Sequence, residues 1–473
     1  MKFLPLILAL CLSAQAVTAS ELPDLGEVSQ TAFTPSDEAR VGSEIMRDIY
    51  ADPQYYDDPE LIEYLNNLGY RLVASSSENR RPFRFFVLKN PTLNAFALPG
   101  GFIGVHTGLI EAAQSESELA GVLGHEIAHV TQHHLARMIE SQKQGIIPSL
   151  AALALAILAA RSNPQMATAA IATVQAGSIQ KQLDFSRDNE READRIGMQI
   201  MSGAGFDPNA MSSFFERLQK DSRLYENNAP AYLRTHPLTS QRIADIQNRA
   251  ANLPAKQVPD SLDFQLLRAK LKAQDGSADQ AVKTANAALL DGRYNNVTAA
   301  RYGLVAALLR AQQYSRADQE MQKLRASNSA SPLIDTLAAR VKLASGDSAG
   351  ALKLYQDARE RFPGYRPLLY ANADALLQAR QSAAALKLVE STITLYPDDY
   401  RLQLLLARGY AQQGKAFMSH KAQADAYFYQ GQLDAAIEQL RLALKSKDGD
   451  FYQSSIAEAR LKQWLAIEKP PKP

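Results

Sequence analysis

Residues 125–129 read His-Glu-Ile-Ala-His. On a helix, positions four apart lie one above the other on the same face. His125 and His129 can therefore share one metal ion, with Glu126 beside it as a base that moves protons. The chain has seven histidines, and five of them fall between His106 and His134, so the motif is not diluted by background. A metal used for hydrolysis needs a third protein donor and one open position for water. His133 lies eight residues after His125, about 12 Å along a helix axis, and cannot reach an ion held by the other two. His133 and His134 are expected on a solvated face. Gln132 and Leu135 stand where one class of zinc protease carries a glycine and a third histidine, which excludes that class.

The remaining donors lie in the run SRDNEREADRIG, residues 186–197. Its helical periodicity turns Ala193, Ile196, Gly197, Ile200 and Met201 to one buried face. Glu190 and Asp194 fall on or beside that face, whereas Arg191, Glu192, Arg195 and Gln199 fall on the wet one. A carboxylate turned inward needs a partner. Zinc satisfies Glu190, and the free ring nitrogen of a ligand histidine satisfies Asp194. His236, before Pro237, stays open between three roles: oxyanion stabiliser, fourth metal ligand that holds the enzyme latent, or bystander.

The elements that must position these groups follow from patterning. Residues 36–75 read as helices, and Arg84–Leu88 as a strand. Residues 90–110 read as two strands joined by a turn at Pro99-Gly100-Gly101. Ser115 and Glu118 form a capping box that opens a helix over about 116–141, apolar nearly all round its first half and so buried. A second site helix is expected over about 184–204 and a third after Asp207-Pro208.

The chain has 473 residues, 46% hydrophobic and 21% charged, with a net charge of +1, enough for two or three domains and without pull toward nucleic acid. Met1-Lys2, a short apolar run and small residues up to Ala19 read as a secretory signal peptide, 1–19. Cys11, the single cysteine, lies inside it, so the mature chain is expected to have no disulfide. The apolar run 145–160, within a longer apolar segment 145–177, falls short of a membrane span and reads as a buried helix or as a flap that touches a membrane peripherally. The prolines of 253–262 mark a linker between a domain at 20–252 and a repeat region at 263–473. There Ala317, Ala351 and Ala385 recur at one constant interval, each followed four positions on by Met321, Tyr355 or Val389. That interval resembles the tetratricopeptide repeat, whose period is about 34 residues. Residues 276–290 read as a divergent first copy. Ala436 comes one and a half periods after Ala385, as though an extra helix near 400–414 interrupts the register.

The HExxH motif, Glu190 and Asp194 some sixty residues later, Thr235-His236-Pro237 with Arg242, and the NAFALPGG segment 94–101 together resemble the gluzincin metalloproteases of the HtpX type. Joined to a signal peptide and C-terminal repeats, they resemble the periplasmic β-barrel assembly-enhancing proteases over the whole chain. That resemblance implies a mostly α protein, an α+β zincin-type metalloprotease domain followed by an α-α superhelical tetratricopeptide-repeat domain. It implies one zinc per monomer on His125, His129 and Glu190, with Glu126, Asp194 and His236 as catalytic residues. The implied partners are misfolded or stalled outer-membrane proteins and, through the repeats, the β-barrel assembly machinery. A competing reading makes the chain mainly a repeat-based chaperone or scaffold with secondary or latent proteolysis.

Overall fold

The computed structural model describes residues 33–78, 81–141, 176–223, 231–253, 256–327 and 329–468. The expected signal peptide and the apolar segment as far as residue 175 lie outside them. Among the described residues no helix is long and apolar enough to cross a membrane.

Helix α1 (Pro35–Ala51) starts at Thr34, whose hydroxyl accepts from Asp37 N while the Asp37 carboxylate accepts from Thr34 N. Helix α2 (Pro59–Val73) starts at Asp58, which accepts from Glu60 N and Leu61 N. The strands are β1 (Arg84–Leu88), β2 (Ala95–Leu98) and β3 (Phe102–His106). β3 is central, parallel to β1 and antiparallel to β2. The expected turn between β2 and β3 is Pro99–Gly101, where Gly100 and Gly101 take φ of 79° and 80°, conformations that favour glycine. A short α3 (Thr107–Ala112) leads to α4 (Glu116–Thr131), whose N-cap Ser115 accepts from Glu118 N.

The helix expected to run on to 141 breaks instead. His133 takes a left-handed φ of 52°, and α5 (His134–Ser141) starts afresh. The break folds His134 back toward His129, which a straight helix could not do. Helix α6 (Ala176–Gly203) starts earlier than expected and packs across α4. The crossing is tight because Gly124 meets Gly197: a Cβ on Gly197 would lie 2.7 Å from His125 N. Helices α7 (Asn209–Arg223), α8 (Ala231–Thr235) and α9 (Ser240–Ala251) complete this part.

Among the described residues, twelve helices follow as six consecutive hairpins. They are α10 (Leu262–Lys272), α11 (Ala278–Leu290), α12 (Val297–Arg310), α13 (Tyr314–Arg325), α14 (Pro332–Ala344), α15 (Ser348–Arg361), α16 (Arg366–Gln378), α17 (Ser382–Ile393), α18 (Tyr400–Gln412), α19 (Ala416–Tyr429), α20 (Leu433–Lys445) and α21 (Phe451–Glu468). Ala317, Ala351 and Ala385 are buried in the second helix of their hairpins, with Met321, Tyr355 and Val389 below them. The expected interruption of the register is absent. α16 and α18 start at Arg366 and Tyr400, and α17 and α19 at Ser382 and Ala416, both one full repeat apart. Ser419 takes the alanine position and donates its hydroxyl to Ala407 O. Ala436 therefore belongs to the first helix of the next hairpin rather than to another copy of the Ala385 position.

The array is fastened to the N-terminal part. Lys270 on α10 is buried between Asp58 (2.5 Å) and Glu60 (2.6 Å) of α2. Burial opposes its charge, but those two carboxylates raise its pKa above the ordinary lysine value. Glu116, at the start of α4, accepts from Tyr64 OH, Ser261 N and Ser261 Oγ. Farther along, Arg366 pairs with Glu63, and Tyr400 donates to Asp57.

Candidate metal centre

Helix α4 supplies His125, Glu126 and His129, α6 supplies Glu190 and Asp194, the residue just after α8 is His236, and α9 supplies Arg242. Their side chains converge. His125 Nε2 is 3.0 Å from His129 Nε2, 3.4 Å from Glu190 Oε2 and 3.3 Å from His236 Nδ1. Glu190 Oε1 is 3.3 Å from His129 Nε2 and 2.9 Å from His236 Nδ1. One donor atom from each of these four residues lies within 4.8 Å of every other. Metal–ligand bonds of about 2.0–2.1 Å imply tetrahedral edges of roughly 3.3–3.4 Å, close to most of these separations. Such a set of imidazole nitrogens and a carboxylate fits a borderline-soft divalent ion.

Electrostatics make the same demand. Burial alone would push the His125 imidazole down, but Asp194 and Glu190 outweigh it and hold it up at about 10 in the metal-free chain. Burial raises Glu190, yet His236, His125 and His129 together bring it well below the usual carboxylate range. Arg242 meets both carboxylates from one side, 2.9 Å from Glu190 Oε2, and a metal ion among the ring nitrogens would meet Glu190 from the other. Glu126 is buried, and its Oε1 has no hydrogen-bond partner among the described residues and lies 3.6 Å from His236 Nε2, so it keeps a lone pair facing the cluster.

Asp194 Oδ1 is 3.1 Å from His125 Nδ1, near enough to fix the ring although not aligned as a hydrogen bond. Asp194 also accepts two 2.7 Å hydrogen bonds from Arg242, and despite burial these and His125 lower its pKa. The inward-facing acids are thus partnered both by histidine and by arginine. Arg242 Nη1 further donates to Pro237 O at 2.8 Å, which ties down the loop that carries His236.

Two expectations fail here. His133 and His134 are buried, 7% and 5% exposed, rather than solvated. His133 Nε2 is 2.9 Å from Glu78, and its Nδ1 is 3.4 Å from Arg81. His134 Nδ1 is 2.8 Å from His129 Nδ1, and its other nitrogen is 3.3 Å from Glu192, which Arg137 holds at 2.6 Å. Burial, then His129 and Arg137, push His134 down to about 2, so it stays neutral. Glu192 stays part-exposed, as expected, and from that edge its carboxylate reaches His134. The left-handed break at His133 leaves no periodic signal. Tyr232 was also missed: it stacks on His236 with ring centroids 4.8 Å apart, and its buried hydroxyl has no hydrogen-bond partner among the described residues.

Residues 59–250 match the peptidase family M48, and residues 342–409 match the tetratricopeptide repeat. A Yersinia pestis beta-barrel assembly-enhancing protease is 34% identical, over 93% of this chain and 91% of its own. The Escherichia coli K12 protein of that name is 33% identical, over 97% of this chain and 94% of its own. This chain belongs to the family of beta-barrel assembly-enhancing proteases. A Vibrio cholerae chain provisionally given the same name is 44% identical over 287 residues, 59% of either chain. As a member of that family the chain is a metalloendopeptidase, an M48 protease domain followed by repeats.

Proposed function

We propose that the chain is an exported, periplasmic zinc endopeptidase, in which His125, His129 and Glu190 hold one zinc ion per monomer. The observation that carries this is the convergence of those three donors beside a buried Glu126 whose Oε1 is unpaired among the described residues. Held by these residues, a zinc ion would lower the pKa of a water and would polarise the scissile carbonyl. Glu126 takes the proton of the attacking water and passes it to the leaving amine. Asp194 holds the His125 ring through Nδ1, and His134 holds the His129 ring from its far side. A polypeptide lies extended along β2, an edge strand that packs beside α4, and so is gripped by its backbone with little sequence preference.

His236 is read as the fourth donor of a resting state. Its Nδ1 sits within the donor set, 3.3 Å from His125 Nε2, and so competes for the position that water needs. This favours latent proteolysis, with the repeats holding outer-membrane clients or the assembly machinery, as the names of the relatives suggest. Elemental analysis should find one zinc per chain, lost in the His125→Ala, His129→Ala double variant. His236→Ala should raise basal casein cleavage and self-cleavage with the zinc retained. A fall of about 10²–10³-fold with zinc bound would instead assign His236 to oxyanion stabilisation.

A further inference from the structure

The first repeat hairpin is built differently from the three that follow. In α13, α15 and α17 a buried alanine is followed four residues on by a large buried side chain: Met321, Tyr355 or Val389. In α11 the buried Ala281 is followed by Ala285 and then Ala288. Helix α11 packs against α12 but touches α10 little. The gap is a half-open cavity of about 370 Å³ walled by Ala273, Ala281, Ala285, Ala288, Ala299 and Gly303.

Its polar lining is lopsided. Arg268, Lys272 and Arg293 contribute cations against one carboxylate, Asp260, which already accepts from Glu116 N at 2.7 Å. Arg293 is paired with Asp291 outside the cavity, and Glu111 and Asp275 flank Lys272. Arg268 donates Nη2 to Glu111 O, but its Nε is buried with no partner among the described residues. Burial and Arg268 lower the Lys272 pKa, and Glu111 and Asp275 do not make up the difference. Exposed Tyr294 is part of the lining, leaving apolar surface at the opening.

We propose that this cavity binds the C-terminal residue of a polypeptide, with a large apolar side chain among the alanines and the terminal carboxylate on Arg268 and Lys272. The volume is at the lower end of ligand pockets, room for a side chain and its end group rather than for a strand passing through. A single carboxylate next to a single apolar group is what a chain end offers, and arginine binds carboxylates in a paired geometry. Arg268 links the site through Glu111 O to α3, which continues directly from β3. A polypeptide held by its end is thereby tethered beside the sheet of the protease domain. The site does not depend on the metal centre, so Glu126→Gln should bind equally well.

The test is fluorescence anisotropy of the full chain with a dye-labelled glycine/serine hexapeptide ending in phenylalanine. The free acid should bind, and its C-terminal amide should bind at least 10-fold more weakly. Ala285→Phe, which restores the missing side chain, should weaken the acid at least 10-fold without lowering the thermal midpoint. Lys272→Gln should weaken it several-fold and flatten its salt dependence; it carries the test if Ala285→Phe does not fold. Equal binding of acid and amide, no binding of the acid, or full binding by both variants would overturn the proposal. Equally tight binding of an amidated peptide with an internal phenylalanine-glutamate pair would overturn the assignment to a chain end.

Discussion

At the crossing of α4 and α6, Gly124 and Gly197 bring two backbones together and around them are packed His125, Glu126, Glu190 and Asp194, all buried. In the repeats α12 to α17, helices meet through Ala317, Ala351 and Ala385, with Met321, Tyr355 and Val389 filling the space beside them. The first arrangement is held by charge and by hydrogen bonding: Arg242 on Asp194 and Glu190, and the neutral His134 on His129. The second is held by apolar volume that recurs once in each of those three hairpins. A charge network in a dry site tolerates little, because losing one partner strands the other. A repeated apolar seam tolerates a change at one unit, because each unit leans only on its neighbours. The first hairpin shows this tolerance: it lacks the large side chain and still joins the array.

Four substitutions test that contrast. Glu126→Gln should lower casein cleavage by about 10²–10⁴-fold while elemental analysis finds the metal unchanged, since the base is lost and the donors are not. Undiminished cleavage would remove Glu126 from the reaction. Tyr355→Ala should cost about 3–5 kcal/mol in denaturant unfolding of the repeats, the usual penalty for emptying an aromatic site. Metal content should stay at the native level, because no donor lies in α15. Loss of metal in this variant would show that the two regions are energetically one.

Gly197→Ala is a smaller change in volume with the opposite pattern. Its methyl group would lie 2.7 Å from the backbone nitrogen of His125, so α4 and α6 must part. The expected destabilisation is about 1–3 kcal/mol, accompanied by measurable metal loss on dialysis. Retention of metal at native affinity would mean that the donor geometry does not depend on this contact.

The smallest expected effect lies where the regions join. Glu111 is half-buried, and burial together with Asp275 raises its carboxyl to about 7. A raised acid is penalised when it ionises. The penalty is absent below the unfolded value of about 4.3, grows up to pH 7 and is constant above it. Glu111→Gln should therefore stabilise the chain at pH 8 by about 1 kcal/mol, after allowance for solvent screening of a half-exposed pair, and not at pH 4. Urea midpoints at the two pH values measure it, and an equal gain at both would point to packing rather than charge.

Whatever has a local period was legible in the amino-acid sequence. HExxH spacing set two imidazoles on one face of α4, the pattern of 186–197 turned Glu190 and Asp194 inward, and the evenly spaced alanines announced stacked hairpins. The one misreading in the repeats, an interruption near 400, arose because Ser419 hid a position that alanine had marked elsewhere. Features that depend on residues far apart, or on a break in the period, came only with the assembled fold. The left-handed turn at His133 folds His134 onto His129, and Arg242 joins Asp194 to the His236 loop. Tyr232 comes to lie on His236, and the gap opposite Ala285 becomes a cavity only once α10, α11 and α12 are assembled. The reason is that spacing along a helix fixes direction within that helix, whereas burial, pairing and empty volume belong to the space between helices.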